Sequence, residues 1–567
     1  MRFILLQLVV TACWAAWAAR ANGPVPSTHG QVVSAHPLAS QAGLQILQAG
    51  GNAIDAAVAT GLALAVVHPA AGNLGGGGFM VLALKDGRAT TLDFRETAPA
   101  AARAGMYLGA DGQLVPSSNH EGFRAVGIPG TIAGFDLALR RYGVKSWSEV
   151  TQPAVRLARE GIPLTPALAQ EFAQLQADWR RNPAAAAIFL KPDGSTFAAG
   201  ELWRQPDLAR TLTRLQNKGR DGFYRGPVAR ALAAAMKDHG GLITTRDLAT
   251  YAAIERAPLR GNYRGWEILS MPPPSSGGTA LIEMLNILER HDLSALGHNS
   301  APYLHLLTET MRRAFADRAR FLGDPEANPS LSATVARLTS KEHAARLDRT
   351  IRPDAAAVSD PIRLNEAYES PETTHYSVID AAGNAVVVTY TLENSYGARV
   401  VPDGLGFLLN NEMGDFNPQP GRTDATGLIG TSPNLIRPGR RMLSSMSPTI
   451  VRRDGQPVLL VGSPGGRTII NTVLQVILNT VDFRMDLSTA VAAPRLHHQW
   501  LPDELVLESL TAGQPVPWPR VELERLGHRV RLGGAQGRVM AIQRLPGQEG
   551  YLGAADPRDP DAAAAGY

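Results

Sequence analysis

The stretch Thr373-Thr374-His375-Tyr376-Ser377-Val378-Ile379-Asp380 runs into a turn at Ala381-Ala382-Gly383-Asn384 and then into Ala385 to Leu392. Val, Thr and Tyr dominate both arms and Gly-Asn closes the turn, so the pattern predicts a β-hairpin. Its start is abrupt. The preceding residues, Asp354 to Pro371, mix Ser, Asp, Pro and Glu without periodicity and predict an exposed connector. A threonine at such a boundary has a chemical use. Its hydroxyl becomes a nucleophile when a base takes the proton, and the simplest base is the residue's own α-amino group, with a pKa of roughly 7.7 to 8.0. That base exists only if Thr373 is the first residue of a chain, and the same hydroxyl can expose it by attacking the carbonyl of Glu372. On spacing alone, a Thr pair opening a strand reads first as β propensity.

Upstream of the hairpin, His36 to Val67 carries Ala, Leu and Ile at helical spacing, broken at Gly50-Gly51-Asn52, which predicts two helices and a tight break. Ala71-Gly72-Asn73-Leu74-Gly75-Gly76-Gly77-Gly78 then precedes two strand-like runs, Phe79 to Leu84 and Ala89 to Phe94. A dinucleotide fingerprint needs the strand first and a helix after, so this glycine run predicts close backbone packing near a site. Residues 146–247 and 301–349 have a period near 3.6 and predict mostly helix. Between them Gly261 to Met271 predicts a strand running into the rigid loop Pro272-Pro273-Pro274-Ser275-Ser276-Gly277-Gly278. Downstream, Thr449 to Val451 and Pro457 to Gly462 predict strands, and Arg467 to Thr480 an amphipathic helix.

Composition narrows the chemistry. The 567 residues are 44% hydrophobic and 19% charged, which is globular usage with enough apolar content for a large core. The net charge of +4 comes from scattered Arg without a basic run interleaved with aromatics, which argues against a nucleic-acid partner. Cys13 is the single cysteine, so disulfides, thiolate catalysis and cysteine-ligated metals are excluded from the body of the protein. His497-His498 does not supply a metal site, because adjacent residues of an extended segment face opposite ways. Ser463, in Gly462-Ser463-Pro464-Gly465, lacks the G-x-S-x-G elbow and is rejected as a nucleophile. No cofactor and no metal are called for.

The hairpin start, with Val388-Thr389-Tyr390-Thr391-Leu392, resembles the opening of the small subunit of the γ-glutamyltransferases, glutathione hydrolases of the N-terminal-nucleophile superfamily. The resemblance extends to Asn73-Leu74-Gly75-Gly76-Gly77-Gly78-Phe79-Met80, Leu92-Asp93-Phe94-Arg95-Glu96, Ser270 to Gly278, Leu443-Ser444-Ser445-Met446-Ser447-Pro448 and His497 to Glu504, in family order. It implies an α/β (α+β) fold, a four-layer αββα sandwich formed jointly by two autoprocessed subunits. The implied boundaries are a signal peptide over 1–21, a large subunit over 22–372 and a small catalytic subunit over 373–567, with cleavage between Glu372 and Thr373. The implied reaction carries the γ-glutamyl group of glutathione and related γ-glutamyl compounds, through a Thr373 ester, to water or to amino acids and peptides.

A γ-glutamyl group ends in a carboxylate and an ammonium, so its pocket needs a cation with hydroxyls and a set of carboxylates. By resemblance, Arg95, Ser444 and Ser445 take the carboxylate, and Glu412 and Asp415 the ammonium. Glu393 stands where some family members carry Asn, and a carboxylate there still accepts from an ammonium. Thr391 matches the threonine that contacts the nucleophile and assists processing, and Gly465 and Gly466, just before a helix, match the oxyanion donors. One alternative is a cephalosporin (glutaryl) acylase-like amidase on the same scaffold. Glu412 and Asp415 speak against it, because a glutaryl group has no ammonium. The other alternative is a non-catalytic exported binding protein that retains the fold.

Met1-Arg2, the apolar Phe3 to Ala18 and Ala19-Arg20-Ala21 predict a signal peptide cut near Asn22, hence an exported protein, with the periplasm expected and no membrane insertion of the mature enzyme. An uncleaved anchor is one alternative. Val10-Thr11-Ala12-Cys13 resembles a lipid-attachment box and leaves a lipid anchor or secretion as others. Finally, Phe416 to Arg441 has the length of the lid loop of many bacterial members, and Thr426 falls at its aromatic gate. Thr426→Tyr is therefore expected to shift the ratio of transpeptidation to hydrolysis, measured as products formed with and without glycylglycine; equal ratios would remove the gate role.

Overall fold

The computed structural model describes residues 23–360, 373–422, 431–511 and 513–567. Two seven-stranded antiparallel sheets lie face to face. The first has the order β14-β2-β8-β9-β3-β4-β5, where β2 is Gln31–Ser34, β3 Gly77–Ala83, β4 Ala89–Phe94, β5 Ile254–Arg256, β8 Thr374–Ile379, β9 Ala385–Thr391 and β14 Ala563–Gly566. The second has the order β1-β13-β12-β11-β10-β7-β6, with β1 Val25–Ser27, β6 Leu259–Tyr263, β7 Trp266–Ser270, β10 Thr449–Arg453, β11 Gln456–Val461, β12 Met540–Arg544 and β13 Tyr551–Ala555. The sheets meet through β8 on β12, β2 on β13, β9 on β11 and β3 on β10.

Helices cover both outer faces and complete an αββα sandwich. Against the first sheet lie α1 (Pro37–Gln48), α2 (Ala53–Val67) and α3 (Thr131–Tyr142); against the second lie α4 (Gly277–Leu288), with α5 (Thr468–Val481) packed beside it, and α6 (Leu487–Ala492). The break between α1 and α2 is chemically explicit. Asn52 and Asp55 form a capping box at the start of α2, and Gly50 adopts φ 80°. All fifteen residues of α2 are buried, as a helix of Ala, Val, Ile and Leu beneath a sheet requires.

The hairpin β8–β9 is the centre of the first sheet and is buried on both faces, so β9 is mostly apolar, while the polar side chains of β8 are paired internally: His375 with Thr389 and Ser377, and Ser377 donating to the Met540 carbonyl at 2.9 Å. Asp380 in its turn accepts from the Ala382 and Asn384 amides through one oxygen. Through the other it accepts from the Ala53 amide at the N-terminus of α2, at 2.9 Å, where a carboxylate is favoured by the helix dipole. The glycine run behaves as its position predicts. A Cβ on Gly76 would stand 2.0 Å from the Thr391 carbonyl oxygen, so only glycine lets β3 approach the end of β9.

One expectation is corrected. Gly261 to Met271 is a hairpin and not one strand: Tyr263 pairs Trp266, and Arg264 and Gly265 between them have φ 49° and 82°, a two-residue loop with both residues left-handed. The described part of the connector is as exposed as expected, Ser359 alone being buried, but it is tied down at several points. Ala356 donates to the Leu526 carbonyl, Ser359 donates through its amide to Asp503 at 2.8 Å, and the Arg312 guanidinium donates to the Ser359 hydroxyl. The signal segment with Cys13, the remainder of the connector with Glu372, and Thr426 lie outside the described residues. Among the described residues no helix is long and apolar enough to cross a membrane.

Each of the two sheets contains strands from both residues 25–360 and residues 373–567. A cut just before Thr373 should thus leave two fragments that co-elute as one species in native size-exclusion chromatography and separate only in denaturant.

Candidate active site

The register of the central hairpin positions the nucleophile candidate. Thr374 pairs Tyr390, and one further antiparallel step sets Thr373 opposite Thr391, at the end of the sheet where β3 begins with Gly77. Thr391 is held in turn. Its carbonyl accepts from Asn73 Nδ2 at 2.9 Å, and its hydroxyl accepts from the Glu393 amide at 2.9 Å. Thr373 is only 6% exposed and lines a cleft with Arg95, Thr391, Glu393, Glu412, Asp415, Ser444, Ser445, Met446, Gly466 and Ile469. Of the sequence-predicted residues Gly465 alone is absent from the lining, although it directly precedes Gly466. Glu372 is outside the described residues.

Arg95 is the electrostatic centre of the cleft. Its guanidinium lies 2.5 Å from Glu412, makes a second, shorter contact with Asp415, and stands 3.6 Å from Glu96, all essentially buried. Burial opposes its charge, but Glu412, Asp415 and Glu96 outweigh that and hold its pKa above the ordinary value. The acids bear the opposite consequence. Burial raises Glu96 to about 8 and Glu412 well above the carboxylate range, although Arg95 pulls both down. With Arg95 engaged in this way, the free volume of the cleft is about 20 Å³, enough for little more than one water molecule.

The hydroxyl pair is fixed by the proline-rich loop. Ser444 donates its amide to the Pro274 carbonyl, and its own carbonyl accepts from the Ser276 amide and hydroxyl at 2.7 Å each. Arg318, from the long helix Ala301–Phe321, donates to the Ser276 hydroxyl at 2.8 Å and to the Ser445 hydroxyl at 3.1 Å. On the other wall, Asn410 accepts from the Glu412 amide at 3.1 Å and the Gly127 amide at 2.8 Å. Asn434 donates to the Asp415 carbonyl at 2.7 Å.

Between β11 and α5, Gly465 and Gly466 adopt φ 132° and 54°, conformations that favour glycine, and among the described residues neither amide has a hydrogen-bond partner. Ser463 is wholly buried, donates to the Pro464 carbonyl and accepts from the Arg538 amide, so it faces away from nucleophilic duty. His497 and His498 are likewise occupied, the first by Asn471 and Gln499 and the second by Asp503 and the Trp500 amide; burial lowers both pKa values and keeps the rings neutral.

Sequence reasoning missed Arg318, Glu96 as a working neighbour of Arg95, the asparagines 410 and 434, and His120, whose Nδ1 is 3.4 Å from Glu393. Arg318 carries no local signal, being one Arg among several on a charged helix. Glu96 was visible only as part of the Arg95 motif. Glu393 itself has φ 82°, a strained conformation for a residue with a side chain and one found at functional sites.

Comparisons with known proteins place nearly the whole chain in one family. A family model described as Gamma-glutamyltranspeptidase matches residues 39–566. A glutathione hydrolase proenzyme of a Pseudomonas species (strain A14) is 43% identical over 560 residues, covering 97% of this chain and 96% of the relative. The glutathione hydrolase proenzyme of Escherichia coli K12 is 44% identical over 547 residues, covering 96% and 93%. Among solved structures, a cephalosporin acylase from Bacillus halodurans superposes with a TM-score of 0.83 at 28% identity, covering 96% of this chain and 97% of that one.

The raised pKa of Glu96 has a thermodynamic consequence. Its folded-state value near 8 lies above the unfolded value near 4.5, so its contribution to stability is present at acid pH and is lost as pH rises between the two. Thermal denaturation across that window should show the wild type losing stability with rising pH and Glu96→Gln losing less; parallel curves would mean that Glu96 does not carry this linkage.

Proposed function

Because the chain belongs to the gamma-glutamyltranspeptidase family and acts as a γ-glutamyl hydrolase and transpeptidase, we propose that Thr373 carries the acyl group and that the residues of its cleft divide the remaining tasks. The precursor yields a large and a small subunit, and the proposed boundaries are 22–372 and 373–567. In the maturing step Thr373 Oγ attacks the carbonyl carbon of Glu372 and the peptide bond shifts to an ester. Water hydrolyses that ester, leaving a carboxylate on Glu372 and a free α-amine on Thr373. Thr391, opposite Thr373 in the extended register, orients the hydroxyl.

In turnover the α-amine takes the hydroxyl proton as Oγ attacks the γ-carbonyl carbon of the donor, and the amides of Gly465 and Gly466 receive the oxyanion. The leaving amine departs with that proton, and a γ-glutamyl ester of Thr373 remains. Water or an amine then attacks the ester carbonyl, the same amine base accepting the incoming proton and returning it to Oγ. At the far end of the substrate, Arg95 with Ser444 and Ser445 holds the α-carboxylate, while Glu393, Glu412 and Asp415 hold the α-ammonium. The proposed donors are glutathione and related γ-glutamyl compounds, the acceptors water, amino acids and short peptides, and the proposed location is the periplasm after export.

The observation that carries this assignment is that one buried cleft gathers Thr373 with a single cation, three further hydroxyls and three carboxylates. An acid-rich wall suits an ammonium, whereas a glutaryl group would set a bare methylene chain against buried carboxylates, which disfavours the acylase alternative despite the shared scaffold. The test compares γ-glutamyl-p-nitroanilide with glutaryl-p-nitroanilide and runs denaturing electrophoresis beside it. Wild type should show two fragments, the smaller beginning at Thr373, and prefer the γ-glutamyl anilide; Thr373→Ala should stay one band without turnover. Preference for the glutaryl anilide, or cleavage in Thr373→Ala, would overturn the assignment.

A further inference from the structure

One residue links the cleft to a larger depression beside it. The groove, with a free volume of about 720 Å³, is formed by the loop around His120, the segment 178–183, His239 and the segment 394–400. His120 lies on its floor with its side chain 21% exposed, while its Nδ1 faces Glu393, 2% exposed, at 3.4 Å. The ring is also pressed onto the turn that carries Glu412 and Asp415. A Cβ on Gly414 would fall 2.2 Å from the His120 ring, and the His120 carbonyl accepts from Asn411 Nδ2 at 3.1 Å. Glu393 is thus reached from two sides. One oxygen faces His120, and the other, buried, has no hydrogen-bond partner among the described residues although the backbone is strained to φ 82° to place it.

We propose that His120 is a positioning residue for the ammonium end of the cleft: its imidazolium balances Glu393 before substrate binds, and it gives up its proton through the groove to solvent when the substrate ammonium settles beside that carboxylate. This rests on the γ-glutamyl assignment above. Glu393 stands where some family members carry a neutral Asn, so the device belongs to chains that place a charge there. The surrounding charges support it. Burial works against the imidazolium, but Glu393, then Asp415 from the facing turn and Glu121 from its own loop raise its pKa above the ordinary value. Across the groove Arg399 and Arg181 share Asp178 at 2.6 Å and 3.3 Å, so that wall carries one net positive charge, held on solvent-exposed guanidinium groups where water and salt screen it from His120. Two cations cannot share one carboxylate without repulsion in a buried site, which makes the exchange of proton for ammonium the favourable course.

The test uses the mature enzyme and L-glutamate as the probe for the cleft. Calorimetric titration near neutral pH, in two buffers of different ionisation enthalpy, should show wild type releasing a substantial fraction of a proton on binding and His120→Asn releasing correspondingly less. In turnover of γ-glutamyl-p-nitroanilide from about pH 5 to about 9, wild-type KM should climb toward tenfold per pH unit below the His120 pKa. His120→Asn should lose that limb while its kcat still follows the Thr373 amine. Proton release or a KM limb identical in both proteins would overturn the proposal. Should His120→Asn fail to mature, His120→Gln takes its place, and binding to the wild type without proton release would overturn the exchange by itself. Failure of wild type to turn over the anilide would instead defeat the γ-glutamyl assignment, so the two outcomes are distinct.

Discussion

Everything in this molecule hangs on the antiparallel pairing of Thr374–Ile379 with Ala385–Thr391 in the middle of a buried sheet. Strand pairing sets register, and in a strand buried on both faces a slip of one residue would misplace every side chain. The turn is pinned by Asp380, which ties the hairpin to the start of the helix beneath it, so the far end of β8 cannot drift. Thr373 is thereby delivered to one position, beside Thr391 and against the glycine-lined start of β3. A nucleophile on a loop would need other contacts to hold it; here the sheet supplies the precision.

The cleft built around that point is an ionic network with an acid surplus. Arg95 faces Glu412, Asp415 and Glu96, and Glu393 stands close by, so the acids outnumber the cation. In a low-dielectric site such a surplus is costly, which is why Glu96 and Glu412 are pushed toward their neutral forms. A zwitterion relieves it. In the proposed assignment its ammonium takes the place of the His120 proton beside Glu393 and adds positive charge to the acid-rich wall, and its carboxylate takes over part of the guanidinium that the acids now occupy. On that proposal, because the free volume is so small, binding parts Arg95 from at least one of its acids, and recognition is an exchange of ion pairs in place of the filling of a rigid hole. A donor with only one of the two charges would break pairs without replacing them.

Much of this was legible before any coordinates. The hairpin, the break at Gly50-Gly51-Asn52, the glycine run and the helix after Gly466 are local patterns, and each is found within a residue or two of its predicted bounds. The individual site residues were not legible from spacing. Thr373 alone reads as β propensity, and Arg95, Glu412 and Ser445 as ordinary polar residues; only the joint resemblance of several motifs gathered them. What stayed hidden depends on tertiary contact. Arg318 reaches Ser445 from a helix 127 residues away in the chain, and His120 meets Glu393 across 273 residues. The Arg264-Gly265 turn escaped because Arg-Gly lacks the Asn-Gly signature that marks such loops, and Gly supplies only one of its two left-handed positions.

The proposed use of the chain's own α-amine as base imposes an order on the life of the molecule. Before Thr373 is freed its nitrogen is an amide without basicity, so the precursor has the nucleophile and the assembled cleft but lacks the base for turnover. Cleavage creates the base at the same atom that peptide linkage had masked, and the interleaved strands keep that amine in place once the chain is cut. The described end of the proposed large piece is anchored too, with Ser359 held by Arg312 of the same piece and by Asp503 of the other. An enzyme that released its large piece would lose Arg95, the loop that fixes Ser444 and the glycine run under Thr391. Interleaving the two segments within each sheet removes that failure, and it explains why the strand order of both sheets crosses the proposed cut so often.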